Sequence, residues 1–581
     1  MHSGVEFFTI FRTSSMLKSK YAFRKPVFSA SQCRLFSNPT FRRTPLYRWD
    51  SKSQDRPPFS FKLPTSILFF SSVSTFVYIH SFTDNSILLD TGEKPGVPVE
   101  ELSKHLTLKD GVWVVINGEV YDLSEFIAVH PGGAKIVLHC AGKDASDIFN
   151  KFHAKDVFEK FLSEDAHLGP LIGEAEKAED ITNSGDEEER QERIKNKPPI
   201  NSVYNISDFE HISKEILTPN AWAYYSSAAD DEFSLRENHY AYSRIFFHPK
   251  VLTDVQNVDI STEMLGSKVD APFYCSAAAQ ARLGHPDGEI SIARGCGREN
   301  IIQMISSSSS NTFDEILDAA RPDQPQWFQL YVLPDRSFSY KMIDKCKLRG
   351  IKGIFVTVDT ALLGRREKDM RFRMFDNDND DLETESLAKE KDPIMSFKDP
   401  GLTWDDIRKF KQATDIPIVI KGVQRVDDVL LAIENNIDGV VLSNHGGRQL
   451  DFSRAPIEVL ADVNKVLKQK NLENKIEIYI DGGVRRGSDV IKALCLGAKG
   501  VGLGRAFLYA NSCYGEKGVV KAIRMLKEEM TLDMKLLGVS NISQLTPELL
   551  DLRRLQGGSH HSDHLYNSAY EPLTPAKFLD E

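Results

Sequence analysis

The sequence predicts a multi-domain protein in which a small α+β domain precedes a large α/β domain built as a (β/α)8 barrel. Three observations lead to this fold class. The chain has 581 residues, too many for one hydrophobic core. A charged stretch at 174–199, with few large apolar residues, separates about 97–173 from about 200–560. Within the larger part, apolar strand patterns alternate with helical patterns, as in a parallel sheet.

Eight apolar segments of strand length predict the barrel. They lie at 271–277, 301–307, 327–332, 353–360, 416–422, 439–445, 476–483 and 500–505. Functional residues of a (β/α)8 barrel follow the carboxyl ends of its strands, so the polar residues that end these segments should meet at one mouth. A doubly wound open sheet is the competing architecture. The residues expected at the mouth are Ser276, Ser306, Gln329, Tyr331, Thr357, Asp359, Lys421, His445, Arg485 and Arg505.

Glycine–arginine sequences follow the last two predicted strands. They are "DGGVRRG" at 481–487 and "GLGR" at 502–505. Glycine lets backbone N–H groups approach an anion, and arginine binds phosphate through a fork of donors. Because barrels commonly bind phosphate after strands seven and eight, the pattern predicts a phosphate-bearing ligand. Glycines that only form tight turns are the alternative.

The segment "SNHGGRQLD" at 443–451 predicts acid–base chemistry beside this ligand. His445 can act as a base near neutral pH, and Arg448 can pair with a substrate carboxylate. Asp359 can hold the imidazole by one nitrogen and stabilise its charged form. Lys421 supplies a fixed positive charge for an electron-rich group. A lone histidine is more often structural, but three more charged residues at the mouth favour catalysis.

Four motifs, "IKGV", "SNHGGRQLD", "DGGVRRG" and "GLGR", resemble those of the FMN-dependent 2-hydroxy-acid dehydrogenases and oxidases, and the resemblance covers essentially all of 200–560. It implies FMN as the ligand and a small 2-hydroxy acid as the substrate. The residues that it places at the substrate are the base His445, its partner Asp359, the carboxylate-binding Arg448, and Tyr224, Tyr331 and Arg366. The residues that it places at FMN are Ala277, Ala278, Ala279, Gln280, Ser306, Gln329, Thr357, Lys421, Asp481, Gly482, Gly483, Val484, Arg485, Gly504 and Arg505.

The small domain has a second histidine motif, "HPGG" at 130–133. Its turn lets the ring of His130 point into a pocket, and "NKFHAKD" supplies His153 further along. The domain resembles cytochrome b5 over about 97–173, which implies a b-type haem with His130 and His153 as iron ligands. No cysteine is near enough in sequence to attach this haem, so we expect it to be non-covalent. An HPGG turn without haem is the alternative.

Residues 1–65 predict a mitochondrial presequence. Basic residues and serines are frequent in the first fifty positions, where Glu6 and Asp50 are the only acids. An apolar run at 66–82 follows, shorter than the ~20 residues of a confident membrane span. This order favours a stop-transfer signal that is later cleaved, and therefore sorting to the mitochondrial intermembrane space. A marginal membrane anchor is the alternative.

The order of haem domain, charged hinge linker and FMN barrel is similar to that of haem-containing flavoproteins that oxidise L-lactate. The resemblance implies that FMN accepts two electrons and that haem passes them singly to cytochrome c. The net charge of −11 fits a basic partner and argues against nucleic acid. The resemblance also implies a homotetramer, with the chain from 556 onward as a candidate contact and 561–581 as a C-terminal tail.

Three other functions compete with this one. An oxidase that passes electrons to O2 would not need the paired histidines, and a sensor without turnover would not need the charged set at the mouth. A barrel dehydrogenase of nucleotides would need a loop cysteine, for which the sequence offers no convincing candidate. Ser308 stands where lactate-specific relatives have a bulky apolar residue, which leaves open a larger or more polar substrate. The hydrophilic stretch at 375–393 predicts a lid or a nicking site.

Overall fold

The computed structural model describes residues 94–127, 130, 134–158, 162–179, 187–374 and 399–557, all within one compact unit, Leu88–Glu581. The predicted presequence, the apolar run, the stretch at 375–393 and the tail at 561–581 lie outside the described residues. No helix in the described part is both long and apolar enough to cross a membrane. The domain boundaries predicted from the sequence stay predictions.

The small domain is built on a five-stranded sheet with the order β1-β5-β4-β3-β2. Asn117 and Gly118 connect β3 to β4 with φ angles of 54° and 84°, the left-handed pair that suits a two-residue hairpin. The strands are β1 (Val97–Pro98), β2 (Leu106–Thr107), β3 (Gly111–Ile116), β4 (Glu119–Asp122) and β5 (His167–Ile172). The helices are Val99–Leu102, Ala134–His139 and Ser146–Phe152, with a 3-10 turn at Glu164–Ala166.

Part of the segment that the sequence predicts to be a solvated linker is helical. The helix Glu187–Asn196 has three glutamates in its first turn and Arg193 and Lys195 in its last, an order that complements the helix dipole. Arg190 donates to the carbonyl of Ile216 in the barrel domain at 3.1 Å. The charges that favour a solvated linker therefore also stabilise a helix that contacts the barrel domain.

Eight parallel strands form a closed barrel, as predicted, and the open-sheet alternative is wrong. The chain enters the barrel through short strands β6 (Phe246–Phe247), β7 (Thr262–Met264) and β8 (Ser267–Val269). The barrel strands are β9 (Phe273–Cys275), β10 (Gln303–Ser306), β11 (Gln326–Leu330), β12 (Ile354–Thr357), β13 (Ile418–Val423), β14 (Gly439–Leu442), β15 (Glu477–Asp481) and β16 (Gly500–Leu503). A last strand, β17 (Leu550–Asp551), pairs antiparallel with β6.

Helices surround the barrel and precede it. The α-helices are Ile206–Ile216, Pro219–Ser226, Phe233–Ser243, Glu289–Arg298, Phe313–Ala319, Arg336–Leu348, Glu367–Met374, Trp404–Ala413, Val426–Glu434, Pro456–Lys470, Gly487–Cys495 and Arg505–Leu537. The last one is interrupted by non-helical backbone at Tyr514 and Gly515. Short 3-10 helices lie at Ile200–Ser202, Ala281–Leu283, His445–Gly447, Ile542–Gln544 and Pro547–Leu549.

Four fully buried aromatic side chains pack together inside the barrel. The ring of Trp327 lies 4.6 Å from that of Phe355, 4.9 Å from that of Tyr274 and 5.4 Å from that of Tyr479. Met264 of β7 packs against this cluster. Because apolar groups fill this part of the barrel, its polar side chains are concentrated where the strands end, which is where (β/α)8 barrels bind their ligands.

Candidate functional site

His445 follows strand β14 in left-handed backbone, with φ of 57°. Its backbone N–H donates to Ser443 Oγ at 3.0 Å. Its Nδ1 lies 2.9 Å from Asp359 Oδ1, and its Nε2 lies 3.4 Å from the hydroxyl of Tyr331. Since a carboxylate only accepts hydrogen bonds, Nδ1 carries the proton and the Nε2 lone pair faces Tyr331. This tautomer is the one that a base needs.

The chain can turn sharply after His445 because two glycines follow it. Gly446 and Gly447 have φ angles of 65° and 79°. A Cβ at Gly447 would meet the backbone nitrogen of Leu235 at 2.6 Å, so no larger residue fits there. The turn directs His445 and Arg448 towards the same cavity.

Lys421, two residues before the carboxyl end of β13, is buried between acids. Its ammonium lies 3.4 Å from Asp481 Oδ2 and donates to Ser443 Oγ at 3.3 Å. Burial by itself lowers the pKa of Lys421, but the nearby carboxylates of Asp481 and Asp359 outweigh burial and leave that pKa raised. Lys421 therefore stays charged and supplies a fixed positive charge at the mouth.

Two arginines meet over one tyrosine ring. The guanidinium of Arg448 lies 5.1 Å from the ring centre of Tyr224, and that of Arg366 lies 5.7 Å from it. One nitrogen of Arg448 donates to the carbonyls of Tyr224 (2.8 Å) and Ser227 (2.9 Å). Burial, and then the like charge of Arg366, lowers the pKa of Arg448 to about 9. The paired positive charges make this wall a site for a carboxylate.

A chain of hydrogen bonds runs across three neighbouring strand ends. Ser306 Oγ lies 3.2 Å from Gln329 Oε1, and Gln329 Nε2 donates to Thr357 Oγ1 at 2.9 Å. On the other side, the hydroxyl of Tyr225 donates to the carbonyl of Gln280 at 2.7 Å. These bonds fix the predicted flavin contacts on β10, β11 and β12 and in the loop that contains Ala277, Ala278 and Ala279.

The arginines predicted at the phosphate have protein partners. Arg485 makes a two-pronged pair with Glu210, at 2.5 and 3.2 Å. Arg505 donates to the carbonyls of Tyr225, Gly446 and Ser227, each at 3.0 Å. Both guanidinia are therefore held in place before any ligand arrives. A Cβ at Gly504 would meet nothing within 4 Å, so there is open space for an anion beside them.

The predicted flavin residues that line a cavity fit FMN. Ser306, Lys421, Asp481 and the backbone around Gly482–Arg485 line one cavity of about 2200 Å3. Ser276 Oγ, also in its wall, and Asp481 Oδ1 are buried without a hydrogen-bond partner. Buried polar atoms of this kind usually have partners, and the polar groups of a flavin can supply them.

The same cavity extends to the two histidines of the small domain. The ring centres of His130 and His153 are 5.9 Å apart, and their planes are nearly perpendicular, at 78°. A metal held by two imidazoles at about 2 Å from each nitrogen separates the nitrogens by about 4 Å. The ring spacing leaves that room, and the pair fits a haem iron.

The surroundings of these histidines are apolar. Phe149 lies 4.8 Å from the ring of His153, and Phe126 lies 5.8 Å from that of His130. Burial lowers the pKa of His153 to about 4, which keeps the imidazole neutral, the form that binds a metal. Apolar side chains that also line the cavity here are Val114, Ile116, Val137, Ile148, Val157, Phe158 and Leu162.

The other three histidines of this domain have different partners. The ring of His105 stacks on that of Trp113, with 3.6 Å between the ring centres. His139 Nε2 lies 3.1 Å from the carbonyl of Glu179, and His167 Nε2 lies 2.7 Å from Glu119 Oε2. Within the described ranges, no group of three or more His, Cys, Asp and Glu side chains could hold a bare metal ion. His130 and His153 remain the pair suited to an iron that a porphyrin already holds.

Several site residues were not predicted from the sequence. Glu210 pairs with Arg485, and Ser443 contacts both Lys421 and the backbone of His445. Asn238 and Asn444 exchange two hydrogen bonds of 2.7 Å beneath the turn at His445. Asn444 and Ser443 directly precede the histidine in "SNHGGRQLD", but Glu210 and Asn238 lie on separate helices, where sequence spacing gives no signal.

Fold and site together define a class: a flavoenzyme barrel with a histidine suited to act as a base, joined to a haem domain with two histidines suited to bind iron. The chain belongs to the FMN-dependent dehydrogenase family, since the model of that family matches residues 213–552. The model of the cytochrome b5-like haem/steroid-binding domain matches residues 98–172. FMN and haem are therefore the cofactors, and both resemblances drawn from the motifs are confirmed.

Two relatives match nearly the whole chain. L-lactate dehydrogenase (cytochrome) of Wickerhamomyces anomalus is 53% identical over 515 residues, which cover 87% of this chain and 89% of the relative. The protein of the same name from Saccharomyces cerevisiae is 46% identical over 565 residues, which cover 93% of this chain and 94% of the relative. The solved flavin-binding domain of baker's yeast flavocytochrome b2 is 51% identical, with a TM-score of 0.61, and covers 69% of this chain and all of that one.

Proposed function

We propose that this protein oxidises an L-2-hydroxy acid, with L-lactate to pyruvate as the expected reaction, and passes the electrons through its haem to cytochrome c. One observation carries the proposal: His445, whose Nδ1 faces Asp359, lines the same cavity as the His130–His153 pair. The names of the two long relatives support both lactate and a cytochrome acceptor.

Each residue at the barrel mouth has a separate role in the reaction. Arg448 and Arg366 bind the substrate carboxylate and place the hydroxyl near His445 Nε2, where Tyr331 now lies at 3.4 Å. His445 accepts the hydroxyl proton, and Asp359 stabilises the imidazolium that forms. FMN, when bound, would take up the α-hydrogen together with the two electrons of the Cα–H bond, a hydride equivalent, so that the substrate becomes a 2-oxo acid. The positive charge of Lys421 stabilises negative charge that develops nearby during the reaction.

A substrate panel tests the proposal. Purified protein is mixed with 2-hydroxy acids of increasing side-chain size, and reduction of cytochrome c is measured alongside consumption of O2. We expect L-lactate to support cytochrome c reduction, with little O2 consumed. Rapid O2 consumption with little cytochrome c reduction would favour an oxidase, the activity named for the 2-hydroxyacid oxidase 1 of Mus musculus, which is 37% identical over 362 residues. A best substrate larger than lactate would fit Ser308 at the end of β10.

We further propose that the mature protein is a homotetramer of the mitochondrial intermembrane space. The basic, serine-rich leader followed by an apolar run supports the location, and cytochrome c is a partner there. The tetramer rests on the family resemblance. Sequencing the N-terminus of protein from intact mitochondria tests the first part, since a chain that keeps 66–82 would indicate an anchor. Light scattering of the mature protein tests the second.

A further inference from the structure

Arg366 lies close to a second positive charge. Its guanidinium shares the ring of Tyr224 with that of Arg448, at 5.7 and 5.1 Å. The two positive guanidinium groups repel each other at this short separation, and the repulsion is strongest in a buried site. The buried carboxylate of Asp369, 3.9 Å from Arg366 Nε, offsets part of this repulsion, and further contacts fix the backbone that carries Arg366.

An ion pair directly after Arg366 supplies such a contact. Lys368, in the first turn of the helix Glu367–Met374, lies with its ammonium 3.2 Å from Glu232 Oε2. The two side chains are only 10% and 8% exposed. Glu232 Oε1 also accepts the backbone N–H of Ala228 at 2.8 Å. A pair this buried is hardly screened by solvent, so it can fix geometry where a surface pair could not.

Lys368 pairs with a segment that also contacts the arginines of the site. The carbonyl of Ser227, which precedes it, accepts from Arg448 at 2.9 Å and from Arg505 at 3.0 Å. The backbone N–H of Asp230 donates to the carbonyl of Arg365 at 2.8 Å. The ion pair and this bond thus join residues 228–232 to residues 365–368, immediately beside both arginines.

The backbone of this segment is strained. Asp230 and Glu232 have φ angles of 45° and 56°, left-handed values that residues with a Cβ adopt rarely. Strain of this kind persists where surrounding contacts fix it, and it is concentrated at functional sites. The contacts of Glu232 with Ala228 and Lys368 hold this left-handed backbone in place.

We propose that Glu232 and Lys368 are a positioning pair that holds Arg366 at the distance from Arg448 at which one substrate carboxylate binds to both. The inference rests on the proposed function, because it takes Arg366 to be a substrate-binding residue. Neither residue of the pair acts on the reacting atoms. Their loss should weaken substrate binding and leave the rate of flavin reduction at saturating substrate nearly unchanged.

Anaerobic reduction of the flavin in the holoenzyme, followed against L-lactate concentration, separates these two quantities. We expect Glu232→Gln and Lys368→Met each to raise the apparent Kd about tenfold, within the range of couplings between contacting residues, and to leave the limiting rate within about threefold. The double variant should be no worse than the poorer single variant, because each single one leaves a buried charge without its partner. Lys368→Arg, which keeps the charge, should restore most of the affinity.

The same helix supplies the control. Glu367 pairs with Arg365 at 3.5 Å and with Arg371 at 3.0 Å, and its side chain is 36% exposed, so Glu367→Gln should leave the apparent Kd within about twofold. A lower melting temperature or FMN content in the Glu232 and Lys368 variants, with wild-type Kd in the folded fraction, would overturn the proposal in favour of a purely structural pair. A wild-type protein that no 2-hydroxy acid reduces would overturn the proposed function, and this proposal with it.

Discussion

The two histidine sites of this protein differ in what surrounds the imidazoles. His153 faces phenylalanine and aliphatic side chains, and burial keeps its pKa near 4. His445 is held by Asp359 at 2.9 Å, with Arg448 in the same turn. An apolar pocket favours a neutral nitrogen that binds iron, whereas a carboxylate partner favours an imidazole that takes up a proton. Similar short motifs, "HPGG" and "HGGR", are therefore suited to different roles because of their surroundings.

The largest effect is expected when the base is removed. His445→Gln keeps polarity and much of the side-chain volume but removes the titrating ring. Flavin reduction should slow by a factor on the order of 10² or more, the scale of a lost general base. Binding of a non-reacting 2-hydroxy acid analogue should change little, since both arginines remain. Near-normal reduction in stopped flow would mean that His445 only shapes the turn.

The next effect concerns the phosphate end of FMN. Arg485→Met removes a charged donor, and hydrogen bonds to charged groups contribute about 1.5–3 kcal/mol, so FMN affinity should fall roughly 10- to 100-fold. Riboflavin has no phosphate and is the matched control. Its affinity should be the same for both proteins in a fluorescence titration. Equal losses of affinity for FMN and riboflavin would show that Arg485 does not bind the phosphate. Its role would then be structural, through its pair with Glu210.

A smaller effect is expected from a conservative change at the carboxylate site. Arg448→Lys keeps a positive charge but loses the planar fork, which also donates to the carbonyls of Tyr224 and Ser227. Substrate affinity and the limiting rate should each fall about tenfold, the scale of one lost hydrogen bond to a charged group. Steady-state kinetics over a wide lactate range measure both. An unchanged substrate affinity would show that the substrate carboxylate does not bind at Arg448.

The smallest effect sharpens substrate choice. Ser308→Leu should reduce the ratio of activities on longer and shorter 2-hydroxy acids by about tenfold, as expected for a few methylenes of pocket volume. The activity on lactate itself should stay within about threefold. Competition between two acids in one reaction gives the ratio directly. An unchanged ratio would place the side chain of Ser308 outside the substrate pocket.

The sequence predicted the parts of this molecule that depend on local pattern. Eight apolar runs with polar ends predicted the eight barrel strands. Seven of the ten residues expected at the mouth line one cavity, whereas Gln329, Thr357 and Asp359 do not. The helix Glu187–Asn196 was missed because its charges are typical of a linker as well as of a solvated helix. Pairs such as Glu210–Arg485 and Glu232–Lys368 were missed because their members are far apart in the chain and meet only after folding.

The most direct test of the account compares the two histidine sites in one experiment. His153→Ala and His445→Gln proteins are mixed anaerobically with L-lactate and cytochrome c, and flavin and cytochrome c absorbance are followed together. His153→Ala should keep wild-type flavin reduction but lose cytochrome c reduction. In His445→Gln, both should slow by the same factor. A His153→Ala protein that still reduces cytochrome c at the wild-type rate would contradict electron transfer through the haem.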